Sequence, residues 1–172
     1  MPGTQRNIEA KYRCSDLDVV RDRAEALGAR RAGVLHQRDT FFVAAHARLK
    51  LRDFGDGRAE LISYRREDAA RARGSDYVVC AVPDPAAIEH LLAHALERVG
   101  EVIKRRELYL VESTRIHLDE VEGLGRFVEL EYVAREGEDL AEAARSVRRL
   151  MEKLEIAEED LESRAYVDLL GA

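Results

Sequence analysis

Pairs of like charges separated by one residue are the part of this sequence best suited to chemistry. The pairs are Lys50 with Arg52, Lys104 with Arg106, and Glu129 with Glu131. Alternate residues of a β-strand point to the same face of the sheet, so each pair would place two like charges side by side. Paired cations hold phosphate oxygens, and paired carboxylates are suited to Mg²⁺ or Mn²⁺. The pattern therefore indicates a site for a polyanion that carries a divalent metal.

Polar and apolar residues alternate in the same way along at least five segments of the chain. Asn7, Glu9 and Lys11 share one phase in the first segment, and Arg115 shares a phase with Asp119 in a later one. A period of two is typical of strands that bury one face and leave the other polar. The sequence therefore predicts several strands of this kind.

A sheet whose polar face meets water is the alternative interpretation. It would suffice for one strand, and Glu129-x-Glu131 alone is equally compatible with a solvated acidic edge. The polar residues sort by type, however, with paired cations in the middle strands and carboxylates towards the end. We therefore interpret the polar face as the interior of a closed or nearly closed barrel, where a bound anion would neutralise the buried cations.

Composition limits the class of protein. The 172 residues are enough for one domain over residues 1–172, and the net charge of −6 argues against a general nucleic-acid binder. No stretch approaches the roughly 18 apolar residues that span a bilayer, and the N-terminus lacks a secretory apolar core. Cys14 and Cys80 lie in no CxxC motif. We therefore expect a cytoplasmic protein with two free, buried thiols and no membrane partner.

Eight strands are expected from the alternation. They cover residues 6–13, 34–43, 48–53, 58–66, 77–82, 102–111, 114–121 and 126–134. Asp56-Gly57 is a strong hairpin signal, and the short connections after residues 111 and 121 indicate an antiparallel meander. The charged stretch 67–74 is predicted to be a surface loop. The fold class is therefore α+β, an eight-stranded antiparallel β-barrel, or tunnel, with peripheral helices.

Start and stop signals place the helices between and after these strands. Ser15 is the expected N-cap of the first helix, which ends before Gly28. Asp84 followed by Pro85 begins the second helix. Two further helices are expected over residues 139–154 and 157–170.

A degenerate signature and six further motifs carry a resemblance to a known family. The signature is Asn7-x-Glu9-x-Lys11, and the motifs are Gln37-x-Asp39-Thr40-Phe41-Phe42, Leu49-Lys50-Leu51-Arg52, Glu60-Leu61-Ile62, Lys104-Arg105-Arg106, the run from Leu118 to Gly125, and Phe127-Val128-Glu129-Leu130-Glu131. In this order they resemble the CYTH, or triphosphate tunnel metalloenzyme, superfamily, and the tail over residues 163–170 is similar to that of class IV adenylate cyclase-like members. The resemblance implies an eight-stranded tunnel that binds a triphosphate with divalent cations. The signature departs from the family form ExExK, because Asn7 replaces the first acid.

The resemblance also implies roles for individual residues, with Mg²⁺ or Mn²⁺ as the cofactor. The phosphate-binding residues would be Lys11, Lys50, Arg52, Arg66, Lys104, Arg106 and Arg115. The metal ligands would be Glu9, Asp119, Glu129 and Glu131, and the catalytic residues Glu9, Lys11 and Arg106. The strand phase leaves open whether Arg65 or Arg66 faces the interior.

Three functions are compatible with this set of residues. The leading expectation is a class IV adenylate cyclase-like enzyme that converts ATP to cyclic AMP and pyrophosphate. The alternatives are an inorganic or thiamine triphosphatase, and a non-catalytic module that binds nucleotide or polyphosphate. The expected partner is a small triphosphate (ATP, thiamine triphosphate or tripolyphosphate) rather than a nucleic acid or a membrane, and the protein is expected to be a monomer or homodimer.

Overall fold

Eight strands and four α-helices lie within residues 5–66, 73–135 and 137–171, which the computed structural model describes. The strands are β1 (Gln5–Arg13), β2 (Arg30–Phe42), β3 (Arg48–Asp53), β4 (Ala59–Arg66), β5 (Arg73–Val82), β6 (Arg98–Val111), β7 (Thr114–Val121) and β8 (Gly125–Ala134). The helices are α1 (Leu17–Ala26), α2 (Pro85–Ala95), α3 (Leu140–Lys153) and α4 (Tyr166–Leu170). None of the helices in these ranges is long and apolar enough to cross a membrane.

The strands close into a barrel in the order β1-β5-β4-β3-β2-β6-β7-β8. Closure follows because β1 pairs with β5 along one edge and with β8 along the other, and every neighbouring pair is antiparallel. Within the described ranges, the sheet therefore has no unpaired edge strand. This confirms the predicted α+β fold with an eight-stranded antiparallel barrel and peripheral helices.

The apolar faces of the strands point outward and pack beneath the helices. Ile8 and Ala10 of β1 and Val128 and Leu130 of β8 belong to one core that also includes Val147 of α3. Burial of these residues from water stabilises the contact between the barrel wall and the helices. The polar members of the same strands are thereby left on the inner face.

Several predicted boundaries differ from the structure. Strands β2, β5 and β6 begin earlier than expected, and β5 takes in the last residues of the predicted loop, of which residues 67–72 lie outside the described ranges. Asp16, not Ser15, caps α1, because its Oδ1 accepts from the Asp18 N–H at 2.9 Å. Both cysteines are free, but neither is fully buried as predicted, since Cys14 is half-buried and Cys80 is exposed.

The predicted helix over residues 157–170 is wrong. A 3₁₀ turn (Glu158–Asp160) is followed by extended chain and then by the short α4. Leu161 makes an isolated β-bridge to Tyr12, and the Glu162 N–H donates to the Lys11 carbonyl at 2.8 Å. Backbone groups that a helix would use internally are thus engaged by β1. We call residues 161–171 the C-terminal strap.

The C-terminal strap lies across one end of the barrel. Asp168 accepts two hydrogen bonds from the Arg48 guanidinium, at 3.0 and 2.8 Å. Tyr166 and Val167 pack against inward residues near that end, including Phe127. Gly100 permits the close approach, because a Cβ there would lie 3.1 Å from Val167 Cγ2. We call this the closed end of the barrel and the opposite one the open end.

Candidate functional site

A cavity of about 630 Å³ runs through the barrel and is lined by residues from all eight strands. Nine of the predicted site residues line it, and they are Glu9, Lys11, Lys50, Arg52, Lys104, Arg106, Arg115, Glu129 and Glu131. Asp119 lies in the wall, fully buried. The structure therefore brings together ten of the eleven residues proposed from the sequence.

The eleventh residue, Arg66, belongs to β4, but its side chain lies outside what the structure describes. The neighbouring Arg65 is exposed, and its Nε donates to the His46 carbonyl at 3.1 Å. Arg65 is therefore engaged away from the cavity lining.

Asp39 holds the first pair of cations. Lys50 Nζ lies 2.8 Å from its Oδ2, and the Arg52 Nε and terminal nitrogen donate to its two oxygens at 2.7 Å each. Asp39 and Arg52 are cross-strand partners in β2 and β3, so the strand register itself aligns the acid with the guanidinium. Burial opposes ionisation of Asp39, but Arg52 and Lys50 hold the pKa of its carboxyl well below its usual range.

Asp119 holds the second pair in the same geometry. Arg106 donates to both of its oxygens at 2.6 Å, and Lys104 Nζ donates at 3.1 Å. Asp119 faces Arg106 across the β6–β7 ladder, and the Tyr166 hydroxyl of the C-terminal strap donates to it at 3.0 Å. Arg106 and Lys104 outweigh burial and hold the pKa of the Asp119 carboxyl well below its ordinary value.

Four buried or half-buried cations thus share two aspartates. Burial of these like charges close together lowers the pKa of both lysines. Burial, followed by repulsion from Arg52, lowers the pKa of Lys50 to about 8. Burial, followed by repulsion from Arg106, also lowers the pKa of Lys104. An anion placed between these groups would relieve both effects, because a charged form that lacks water needs an opposite charge.

Lys11 lies nearest the closed end. Its ammonium donates to the carbonyl of Arg164 in the C-terminal strap and lies 4.2 Å from the centre of the Tyr166 ring. The contact with the ring is a cation–π interaction, which is favoured when the cation is shielded from water. The C-terminal strap therefore positions one of the predicted phosphate-binding cations.

An acidic wall lies on β1 and β8, formed by Glu9, Glu129 and Glu131. Glu9 faces Glu131 across the β1–β8 ladder. Arg115 pairs with Glu131 at 3.2 Å, and Arg106 approaches Glu129 at 3.5 Å. Burial opposes ionisation of Glu129, but Arg106, together with a hydrogen bond to His117, holds its pKa well below the ordinary value. Burial likewise opposes ionisation of Glu131, but His117 and Arg115 lower its pKa. Glu129 and Glu131 are therefore both ionised at neutral pH.

His117 lies between two of these glutamates. Its Nδ1 is 3.1 Å from Glu129 Oε1, and its Nε2 is 3.7 Å from Glu131 Oε2. Burial, followed by repulsion from Arg106, lowers the pKa of the imidazole, so the neutral form dominates at pH 7. His117 shares the strand phase of Arg115 and Asp119, but no role was predicted for it from the sequence. No role was predicted for Asp39 either. An acid on the strand next to each Lys-x-Arg pair is the sequence signal that indicates such a partner.

The chemistry of the acidic wall fits a divalent cation. Asn7 Nδ2 donates to Glu131 Oε1 at 2.6 Å, which leaves Asn7 Oδ1 buried without a hydrogen-bond partner among the described residues. Carboxylate and amide oxygens are the ligands that Mg²⁺ and Mn²⁺ accept. In the described ranges, no three His, Cys, Asp or Glu side chains converge as a complete metal site. An ion here would therefore need water or ligand oxygens as well, which is the usual arrangement for Mg²⁺ bound with a phosphate.

Comparison with known proteins agrees with this geometry. The fold is similar to that of a protein from Pyrococcus horikoshii, with a TM-score of 0.87 at 24% identity over 95% of this chain and 98% of that chain. It is also similar to a candidate adenylate cyclase of Vibrio parahaemolyticus, with a TM-score of 0.81 at 20% identity over 99% of this chain and 100% of that one. A candidate adenylyl cyclase of Hippeastrum, described as having a dominant triphosphatase activity, matches with a TM-score of 0.68 at 14% identity, over 94% of this chain and 91% of that chain.

At these identities the solved structures establish a common fold. No protein of curated function matches the sequence. The sequence model of the CYTH domain matches residues 5–166, which is nearly the whole chain. With its charged, eight-stranded tunnel, the protein belongs to the CYTH family.

Proposed function

We propose that this protein binds a triphosphate with a divalent cation inside the barrel and processes it, as a class IV adenylate cyclase-like enzyme. The observation that carries the proposal is the group of four cations that share two aspartates beside the acidic wall. Its members are Lys50, Arg52, Lys104 and Arg106. A folded protein maintains such a group at a cost, and a polyphosphate is the ligand that would offset it. CYTH enzymes process triphosphates and are generally dependent on divalent metals, which supports the same conclusion.

The phosphate chain would lie between the two Lys-x-Arg pairs. Arg52 and Arg106 are held by aspartates, so their positions are fixed before a ligand arrives and little order is lost on binding. Lys11 and Arg115 would contact the chain from the closed and open ends. Arg66 remains a proposed ligand on the basis of the family resemblance.

The metal would be held by Glu9, Glu129 and Glu131, with Asn7 Oδ1 and ligand oxygens completing its surroundings. When bound, it would polarise the phosphoryl group and offset the charge of the triphosphate. Our assignment for Asp119 changes with the structure: both of its oxygens are occupied by Lys104, Arg106 and Tyr166, so we propose that it positions those cations.

Glu9, Lys11 and Arg106 are the proposed catalytic residues. In cyclisation, the ribose 3′-oxygen bonds to the α-phosphorus, the bond to the β-phosphate oxygen breaks, and pyrophosphate leaves. The hydroxyl proton passes to a carboxylate, for which Glu9 is placed on the inner face of β1. Arg106 and Lys11 would stabilise the negative charge that develops on the phosphate oxygens.

Hydrolysis of the terminal phosphate is the second candidate. The same cations would serve, with water attacking the γ-phosphorus. The triphosphatase activity attributed to the Hippeastrum protein supports keeping this candidate, since that protein shares the fold.

Product analysis separates these functions. The purified protein is incubated with ATP, thiamine triphosphate or tripolyphosphate in Mg²⁺ or Mn²⁺, and the products are resolved by chromatography. We expect cyclic AMP and pyrophosphate in equal amounts from ATP. Phosphate release instead would establish a triphosphatase, and tight binding without product would establish a non-catalytic module. Neither binding nor turnover of any of the three compounds would refute the proposal.

A further inference from the structure

The barrel interior changes character along its length. The inward residues of β6, in order from the closed end, are Val102, Lys104, Arg106, Leu108 and Leu110. Val102 packs against the C-terminal strap, so the two leucines lie beyond the cations, towards the open end. The two leucines thus form an apolar inward surface that the charge pattern of the sequence does not explain.

The neighbouring strands extend this apolar surface into a wall. Leu35 of β2 faces Arg106 across the β2–β6 ladder, one inward position from Leu108. Phe54 directly follows β3, whose last residue Asp53 pairs with Arg38, so Phe54 comes beside the β2 strand as well. All of these side chains line the cavity and are only half-buried. We call Leu35, Phe54, Leu108 and Leu110 the apolar wall.

Leu35 and Phe54 of the apolar wall lie on the side of the barrel opposite the acidic wall, whereas Leu108 and Leu110 lie on β6, between the two sides and two strands from β8. In the strand order, β1 lies four places from β2, and β8 lies four places from β3, which is the opposite side of an eight-stranded ring. The open end therefore has one side that suits metal and phosphate and another that suits an uncharged ring. Inorganic tripolyphosphate has no group that would use the second side.

We propose that the apolar wall is the subsite for the base of a nucleoside triphosphate, so that the tunnel selects a nucleotide over inorganic tripolyphosphate. This rests on the proposed function, because the phosphate chain is taken to lie among the cations. A planar base would cover apolar surface that otherwise faces water in the cavity. Gln37, which lines the cavity next to Leu35 on the inner face of β2, has an Oε1 without a hydrogen-bond partner in the described ranges. That oxygen can accept from an amino group of the base or from a ribose hydroxyl.

The test compares two ligands on the same variants. The probes are α,β-methylene-ATP and inorganic tripolyphosphate, each titrated calorimetrically with Mn²⁺. Leu108→Ser and Phe54→Ala alter the apolar wall. Leu91→Ser is the matched control, because Leu91 is 59% exposed on α2 and outside the cavity lining. Circular dichroism checks that each variant is folded. Phe54→Ala should disturb the fold less than Leu108→Ser, because Phe54 lies in the connection that follows β3 and Leu108 lies within β6.

We expect each wall variant to weaken binding of α,β-methylene-ATP about tenfold, the effect of losing about 1.4 kcal/mol of apolar contact. Tripolyphosphate affinity should stay within about twofold, as should both affinities of Leu91→Ser. Suppose that the wild type binds both ligands. If the wall variants then weaken both affinities equally, or leave both affinities unchanged, the subsite assignment is overturned while the proposed function stands. If the wild type binds neither ligand, the proposed function fails as well.

Discussion

At the scale of single residues, two aspartates organise the charge of the tunnel. Asp39 and Asp119 each lie across a strand ladder from the arginine of a Lys-x-Arg pair and accept from both members. Each arginine forms two parallel hydrogen bonds, which is the strongest common geometry for such a pair. Each lysine makes one, so it is the lysine that remains available to a ligand. Burial, followed by repulsion from Arg52, lowers the pKa of Lys50, and the single contact with Asp39 does not offset these effects.

The pKa of Lys50 predicts how phosphate binding depends on pH. Lys50 loses its proton near pH 8 in the free protein, and a bound phosphate would favour the charged form and raise that pKa. Between the two values, binding takes up a proton, so affinity falls as the pH rises. We expect the affinity for tripolyphosphate to fall above pH 8 relative to that of Lys50→Arg, whose guanidinium stays charged. A constant ratio of the two affinities from pH 7 to 10 would contradict this.

If the acidic wall holds the metal, neutralising its carboxylates should abolish metal-dependent turnover. With Glu129→Gln and Glu131→Gln combined, metal-stimulated turnover should disappear, because amides cannot supply the charge that attracts the ion. Binding of tripolyphosphate without metal should persist through the cations. Turnover is measured against Mn²⁺ concentration, with the exposed Glu120→Gln as the control. Wild-type rates and metal dependence in the double variant would mean that these carboxylates are not ligands.

Replacing Asn7 by an acid should raise the affinity for Mn²⁺ instead of lowering it. Asn7→Glu exchanges the amide that donates to Glu131 for a carboxylate that repels it. Without metal, we expect a loss of about 1–3 kcal/mol in the free energy of unfolding, since a buried hydrogen bond is lost and like charges meet. With Mn²⁺, affinity should rise. Calorimetry of Mn²⁺ binding and denaturation with and without the ion check both parts, and unchanged Mn²⁺ affinity would refute the second.

The residues of the site were largely predictable, whereas their partners were not. Strand phase alone put Lys50, Arg106 and Glu129 on the inner face, because the period of a strand is two. The contacts of Asp39 and His117 depend on the register within the β2–β3 and β7–β8 hairpins. That register is determined by turn geometry and by which face of the sheet is buried, so the phase of a single strand does not reveal it.

At the scale of elements, the C-terminal strap links the end of the chain to the binding site. It contacts β1 through Lys11, β3 through Arg48 and β7 through Asp119. The helix predicted over residues 157–170 was wrong because β1 offers the strap backbone partners that compete with helix formation. By contrast, the helix start at Asp84 and Pro85 was correct, since its signals are local.

Gly100 provides a test of how closely the C-terminal strap packs. An alanine Cβ would lie 3.1 Å from Val167 Cγ2, so Gly100→Ala should lower the free energy of unfolding by about 1 kcal/mol through overpacking. In a Val167→Ala background the obstructing methyl is absent, and the same change should be neutral or stabilising. Urea denaturation of the four proteins gives the coupling energy. An equal cost in both backgrounds would show that the strap does not press on Gly100.

At the scale of the whole molecule, the strands of the barrel direct their polar faces inward and their apolar faces outward. The apolar faces pack outward beneath α1 and α3, and the charged faces enclose the cavity. Along that cavity the lining passes from the aromatic closed end, through the cations, to an open end that carries the acidic wall and the apolar wall on different strands. A net charge of −6 is therefore compatible with an anionic ligand, because six lysine and arginine side chains line the cavity itself.

Calorimetric titration with tripolyphosphate in Mn²⁺ tests the central claim most directly. Lys50→Ala and Lys104→Ala are the informative variants, because each leaves the aspartate with its arginine and so spares the fold. Each should weaken binding about tenfold or more, as expected for losing one charge-assisted contact. Arg145→Ala, a cation exposed on α3, should leave affinity unchanged. Unchanged affinity in both lysine variants, or equal weakening by Arg145→Ala, would contradict the claim that these cations hold a triphosphate inside the barrel.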